Sequence, residues 1–247
     1  TFEGKTGYGL SYDAERRAAR LGRALGEQVE QRTAMTGLFA HAVPDGWTAD
    51  AWMDEVERLA DTTDVDALDI YVETVAFANE HLERLGRIAA ARGLPLRAHV
   101  EQFAANRSVP VALAAGARSV DHLACLHPDD VAPLAAAECA AVLLPGAEFL
   151  GAERTAPGRD LADAGAICVL GTDLNPGTSP VSSLPVIVGL AVRRYGWSVR
   201  EALLACTLNA AWVLGLHDRL GSLEEGKRAD FVVLDAGDPA LIPYRPG

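Results

Sequence analysis

The chain has 247 residues, 49% hydrophobic and 23% charged, which suits one large α/β domain or one domain with a small appendage. Its net charge of −12 argues against a nucleic-acid-binding or anionic-membrane surface, because gripping phosphates requires clustered Lys and Arg. No apolar run reaches the length of a membrane span, no signal peptide is expected, and Cys125, Cys139, Cys168 and Cys206 form no CxxC pair. The expectation is a cytoplasmic protein with reduced, mostly buried thiols.

Apolar, β-rich runs predict strands at residues 1–6, 35–42, 67–73, 95–100, 117–122, 139–145 and 166–172. Helical patterns separate them at 13–30, 49–61, 77–92, 108–115 and 128–137. The chain opens on Thr1 inside a strand pattern, so its natural beginning is expected to be missing. After the first strand, glycines flank Tyr8 and permit a tight turn that exposes its ring. The second strand leads to His41 ahead of Pro44, where the imidazole either meets a substrate or caps the loop. Glu73 ends the third strand, as an acceptor backing a site or as a helix N-terminal acid. His99 lies on the fourth strand, with Glu101 and Gln102 beyond it, and His122 ends the fifth. The last strand runs into Asp173 and a Pro/Gly loop containing Asn175, Gly177 and Thr178, which either receives a polar planar ligand or simply turns. His81, His127 and His217 read as structural or solvated.

Helical segments at 184–195 and 199–214 follow. A turn-rich stretch at 221–230 then precedes a short strand, Phe231 to Asp235, expected to belong to a small β-sandwich. The predicted organisation is a barrel portion over 1–215 and a sandwich portion over 216–247. Alternating βα units mean a parallel sheet. The predicted fold class is α/β, a (β/α)8 TIM-type barrel without its first strand, with an open doubly wound sheet as the alternative. No Gly-rich turn follows the first strand, so nothing supports dinucleotide binding. In α/β barrels the chemistry sits at strand C-termini. His99, His122 and Asp173 occupy three such ends, and imidazole plus carboxylate is a donor set for zinc or iron. Singly, each reads as a satisfied strand His or a turn Asp.

These residues carry a resemblance. Lys5-Thr6-Gly7-Tyr8-Gly9-Leu10, Ala40-His41-Ala42-Val43-Pro44, Asp121-His122-Leu123, Leu143-Leu144-Pro145-Gly146-Ala147 and above all Thr172 to Pro180 resemble the imidazolonepropionases of the amidohydrolase superfamily. The tail Leu223 to Phe231 supports the superfamily only. The resemblance implies hydrolysis of 4-imidazolone-5-propanoate to N-formimidoyl-L-glutamate in histidine degradation, by water activated on one zinc or iron ion. It implies a small-molecule substrate, no nucleic acid or membrane partner, and a homodimer. His99 and Asp173 match metal ligands, and His122 matches a group that polarises the reacting carbonyl. Tyr8, His41, Asn175, Gly177 and Thr178 match substrate contacts.

Two departures qualify it. The family's His-x-His ligand pair and the Arg that follows it are not in this sequence, and position 102 is Gln where some members carry Glu. Gln is no general base, so proton transfer falls to Asp173 and His122, with Gln102 hydrogen-bonding the ring. The competing expectations are another cyclic-amide hydrolase or deaminase of the superfamily, and a truncated, non-catalytic chain that needs a partner for the missing ligands.

Overall fold

The structure is a computed structural model that describes residues 1–151 and 153–245. Seven strands alternate with helices: β1 (Phe2–Lys5), β2 (Thr33–Ala40), β3 (Ala67–Val72), β4 (Leu96–Val100), β5 (Ala117–His122), β6 (Ala140–Leu143) and β7 (Ile167–Leu170). All seven lie within the predicted runs or shift by two residues at most. Runs such as Ala-Ala-Val-Leu in β6 are covered on both faces, which is why they read as continuous apolar stretches rather than alternating ones. Strand order follows chain order from β1 to β7, and the β1–β2, β2–β3, β3–β4 and β6–β7 pairs are parallel.

The chain divides into two compact units, Thr1–Val120 and Asp121 onward, with β5 running through the boundary. In the first unit, α1 (Tyr12–Gly26), α2 (Ala49–Thr62), α3 (Asn79–Arg92) and α4 (Ser108–Ala114) connect the strands. The side chains of Ser11 and Thr48 cap α1 and α2 by accepting from the backbone N–H groups of Ala14 and Ala51. Helix α1 stops four residues short of the prediction because Gly26 packs directly against Thr33, where the chain turns into β2. Trp52, Met53, Val56 and Leu59 of α2 and Leu82, Leu85 and Ile88 of α3 are buried and supply the apolar face the sheet requires.

The second unit holds a 3₁₀ turn (Pro128–Asp130), α5 (Val131–Ala135), α6 (Pro145–Gly151), α7 (Gly158–Asp163), α8 (Leu184–Tyr195), α9 (Val199–Cys206), α10 (Leu208–Val213) and α11 (Leu241–Tyr244). Ala140, Val169 and Val213 form a core with Val142, Ile167, Ala210 and Trp212 packed on it. Three expectations are corrected here. Pro145 begins a helix rather than ending a strand, as suits proline's fixed φ and missing N–H. The predicted helix over 199–214 breaks at Thr207 (φ −121°, ψ −91°), whose hydroxyl donates back to the Leu203 carbonyl. Phe231 to Asp235 forms no strand and is largely exposed; among the described residues it has no partner strand, and a lone β-prone run cannot hold a ladder. Residues 246–247 of the predicted sandwich portion lie outside the described residues.

All four cysteines are free, and burial pushes the Cys168 thiol up to about 12, which keeps it protonated. Among the described residues, no helix is long and apolar enough to cross a membrane.

Candidate active site

In the first unit the candidate residues gather where β1, β2, β3 and β4 end. Gly7 sits at φ +119°, and a Cβ there would come within 2.8 Å of the Leu38 carbonyl oxygen and 2.9 Å of the His41 Cβ, so only glycine fits. The Gly7 carbonyl lies 2.9 Å from His41 Nδ1. Glu15, completely buried in the first turn of α1, accepts the backbone N–H groups of Gly7 at 2.9 Å, Gly9 at 2.6 Å and Leu10 at 3.2 Å. One carboxylate thus closes the turn and leaves Tyr8 61% exposed, with its ring 5.0 Å from that of His41.

The rings continue through Tyr71 of β3, 5.9 Å from His41 and 6.4 Å from His99. Sequence reasoning passed over Tyr71, Asp69, Lys5 and Glu15. The signal available was strand alternation, since Asp69, Tyr71 and Glu73 follow one another at i, i+2, i+4 on one face. Tyr71 pairs with His99 in the β3–β4 register.

His99 is buried, and its Nδ1 lies 3.0 Å from Asp69 Oδ1. Asp69 Oδ1 also accepts the Ile70 N–H at 2.8 Å, while Lys5 Nζ donates to Oδ2 at 2.7 Å. Burial opposes ionisation of Asp69, but His99 and Lys5 outweigh it and hold the carboxyl well below the usual carboxylate range. Glu101 (φ +56°) turns the chain out of the sheet after β4, and its carboxylate caps α4 through the Ser108 N–H at 2.9 Å. Gln102 follows, buried. Glu73 accepts the N–H groups of Phe103 at 2.9 Å and Ala104 at 3.4 Å, anchoring the loop that carries Gln102.

In the second unit His122 ends β5 at φ +80° and Asp173 follows β7 at φ +50°. Non-glycine residues seldom occupy this region, and such strain collects at functional sites. A ring nitrogen of His122 and a carboxylate oxygen of Asp173 lie within 4.8 Å of each other. Beyond Asp173, Asn175 builds the loop: its Oδ1 accepts from the N–H groups of Gly177 at 2.8 Å and Thr178 at 2.7 Å, and its Nδ2 donates to the Asp173 carbonyl at 2.6 Å. The Asn175 amide is thereby committed to the turn. His81 and His127 are structural, accepting the backbone N–H groups of Ala78 and Asp129, and His217 is half-buried beside Asp218.

The donor chemistry suits a metal ion. In the first unit, a histidine whose Nδ1 meets a carboxylate is the usual arrangement behind a metal-binding Nε2; in the second, His122 and Asp173 offer nitrogen and oxygen donors of the kind zinc and iron take.

This chain belongs to the amidohydrolase family, whose model matches residues 8–243. It is similar to the imidazolonepropionase of Deinococcus radiodurans, 41% identical across the whole chain and 62% of that protein, and to that of Rubrobacter xylanophilus, 43% identical across the whole chain and 60% of that protein. The chain thus spans about 60% of the length of these curated relatives. A solved triazine hydrolase variant shares the fold, with a TM-score of 0.75 at 19% identity over 99% of this chain and 64% of that one.

Proposed function

We propose that the protein containing this chain is an imidazolonepropionase, which opens the ring of 4-imidazolone-5-propanoate to give N-formimidoyl-L-glutamate. The observation that carries the proposal is the 41–43% identity to imidazolonepropionases over the whole chain, which encloses every residue placed in the site. In this reading the barrel portion is residues 1–215, and residues 216–247 contribute to a β-sandwich. The enzyme is cytoplasmic and homodimeric, and it acts on a small molecule rather than on nucleic acid or membrane.

His99 and Asp173 are proposed to hold one zinc or iron ion, with the family's His-x-His supplying further ligands that these 247 residues do not include. The ion, when bound, supplies Lewis acidity that brings water within reach of deprotonation near neutral pH. Asp173 accepts a proton from the attacking water and later passes it to the leaving ring nitrogen. His122 donates a hydrogen bond to the carbonyl oxygen as it gains charge. Gln102 hydrogen-bonds the ring, since an amide neither gives nor takes a proton at this pH. Tyr8 and His41 contact the substrate. Asn175, Gly177 and Thr178 do so from the Asp173 loop, Asn175 through its main chain because its amide holds the turn.

The test is an assay of the full-length protein against 4-imidazolone-5-propanoate, dihydropyrimidines and cytosine. We expect turnover of the imidazolone alone, and a loss of about 10³-fold or more in kcat/KM for His99→Ala and Asp173→Asn, with metal lost from both. Turnover of another cyclic amide instead would overturn the substrate, and full activity after metal stripping would overturn the metal assignment.

A further inference from the structure

Asp69 is a carboxylate in the middle of a strand whose neighbours are Leu68 and Ile70, and none of its surface reaches solvent. Burying a charge in such a place is unfavourable unless it is paired and hydrogen-bonded. Its partners are specific. Lys5 reaches Oδ2 from β1, and Oδ1 receives the Ile70 N–H and faces His99 Nδ1 from β4. With Lys5 Nζ at 2.7 Å the carboxylate is an acceptor only, so a ring nitrogen 3.0 Å from it must carry a hydrogen. In the neutral imidazole that hydrogen makes Nε2 the nitrogen with the lone pair.

We propose that Asp69 and Lys5 are positioning residues for His99: Asp69 fixes its tautomer and ring orientation, and Lys5, bonded to the other carboxylate oxygen, holds Asp69 in place. This rests on the proposal that His99 is a metal ligand, and it assigns a task to two residues outside the proposed ligands and substrate contacts. A purely structural ion pair tying β1 to β3 would also explain the Lys5–Asp69 contact, but it requires nothing of His99. The division of labour between the two Asp69 oxygens matches orientation instead: one takes the cation, and the other takes the imidazole with a backbone N–H that locks its direction.

The experiment uses the full-length protein, stripped of metal, with ¹⁵N-labelled histidine. At pH 8 the wild-type His99 ring should show the Nδ1–H tautomer. The paired variant Lys5→Met/Asp69→Leu removes both charges together, so no lone charge stays buried, and it should return His99 to a mixed or Nε2–H tautomer. In zinc competition against a chelating dye it should bind zinc roughly 10–100-fold more weakly than wild type. Asp69→Asn keeps the side chain's volume and covers the case in which the paired variant does not fold; it should show a smaller loss in the same direction. Unchanged tautomer and unchanged zinc affinity in either folded variant would overturn the inference. An Nε2–H tautomer in wild type would overturn it alone, leaving His99 as a ligand through its other nitrogen. Undiminished zinc affinity in His99→Ala would instead overturn the reading of His99 as a ligand.

Discussion

Gly7 shows how much of the site is decided at one backbone position. Its φ of +119° and its approach to Leu38 and His41 leave no room for a methyl group, and its N–H and carbonyl serve Glu15 and His41 respectively. Gly7→Ala should therefore cost roughly 1–3 kcal/mol and lower the melting temperature, because the strained φ and the 2.8 Å clash act together. A thermal melt within about 0.5 kcal/mol of wild type would show that the turn yields without strain. The same scale exposes what sequence reading misses. Tyr8 and His41 stood out by their glycine and proline neighbours, whereas Glu15 sits in a run of Arg and Glu that reads as a solvated helix face and is in fact wholly buried. Nothing in its neighbours announces that three backbone N–H groups end on it.

Elements were legible wherever a hydrophobic run had one job. The buried parallel strands were placed within a residue or two. The positions of His99, His122 and Asp173 at or beyond strand ends followed from that placement. Helices were less legible where proline or a broken turn intervened, as at Pro145 and Thr207. Within the second unit, α6 and α8 are joined by Glu148, whose Oε1 accepts the Ala156 N–H at 3.1 Å and the Tyr195 hydroxyl at 2.9 Å, with Arg194 3.7 Å from Oε2. Burial raises the Glu148 carboxyl above its ordinary range, against the pull of those donors. A raised native-state value means the folded protein binds the proton more tightly than the unfolded chain. The stabilising contribution is then present at low pH and is lost as pH rises from the ordinary glutamate range through the raised one. Glu148→Gln keeps an acceptor and never ionises, so its stability relative to wild type should increase across that window. Urea midpoints collected from pH 4 to 8 test this, and a pH-independent difference between the two proteins would refute it.

At the level of the whole molecule, the exposed run Phe231-Val232-Val233 (64%, 82% and 84% exposed) is a β-prone apolar segment without a ladder. Such segments pair with whatever edge they meet. The 247-residue chain on its own should self-associate as concentration rises, and Val232→Lys should reduce that association in analytical ultracentrifugation. A monodisperse monomer at every concentration would contradict the expectation. The left-handed residues have another reach. Glu101, His122, Leu123 and Asp173 each hold a conformation that costs non-glycine residues of order 1 kcal/mol or more, and they stand at the ends of three different strands. A search for heat-tolerant variants would gain nothing from glycine at Glu101, whose carboxylate caps α4, or at Leu123, which is wholly buried; it would find glycine attractive at His122 and Asp173, where each gain in robustness would erase a side chain on which the proposed chemistry depends. In this protein the routes to durability and to activity part company at those two positions.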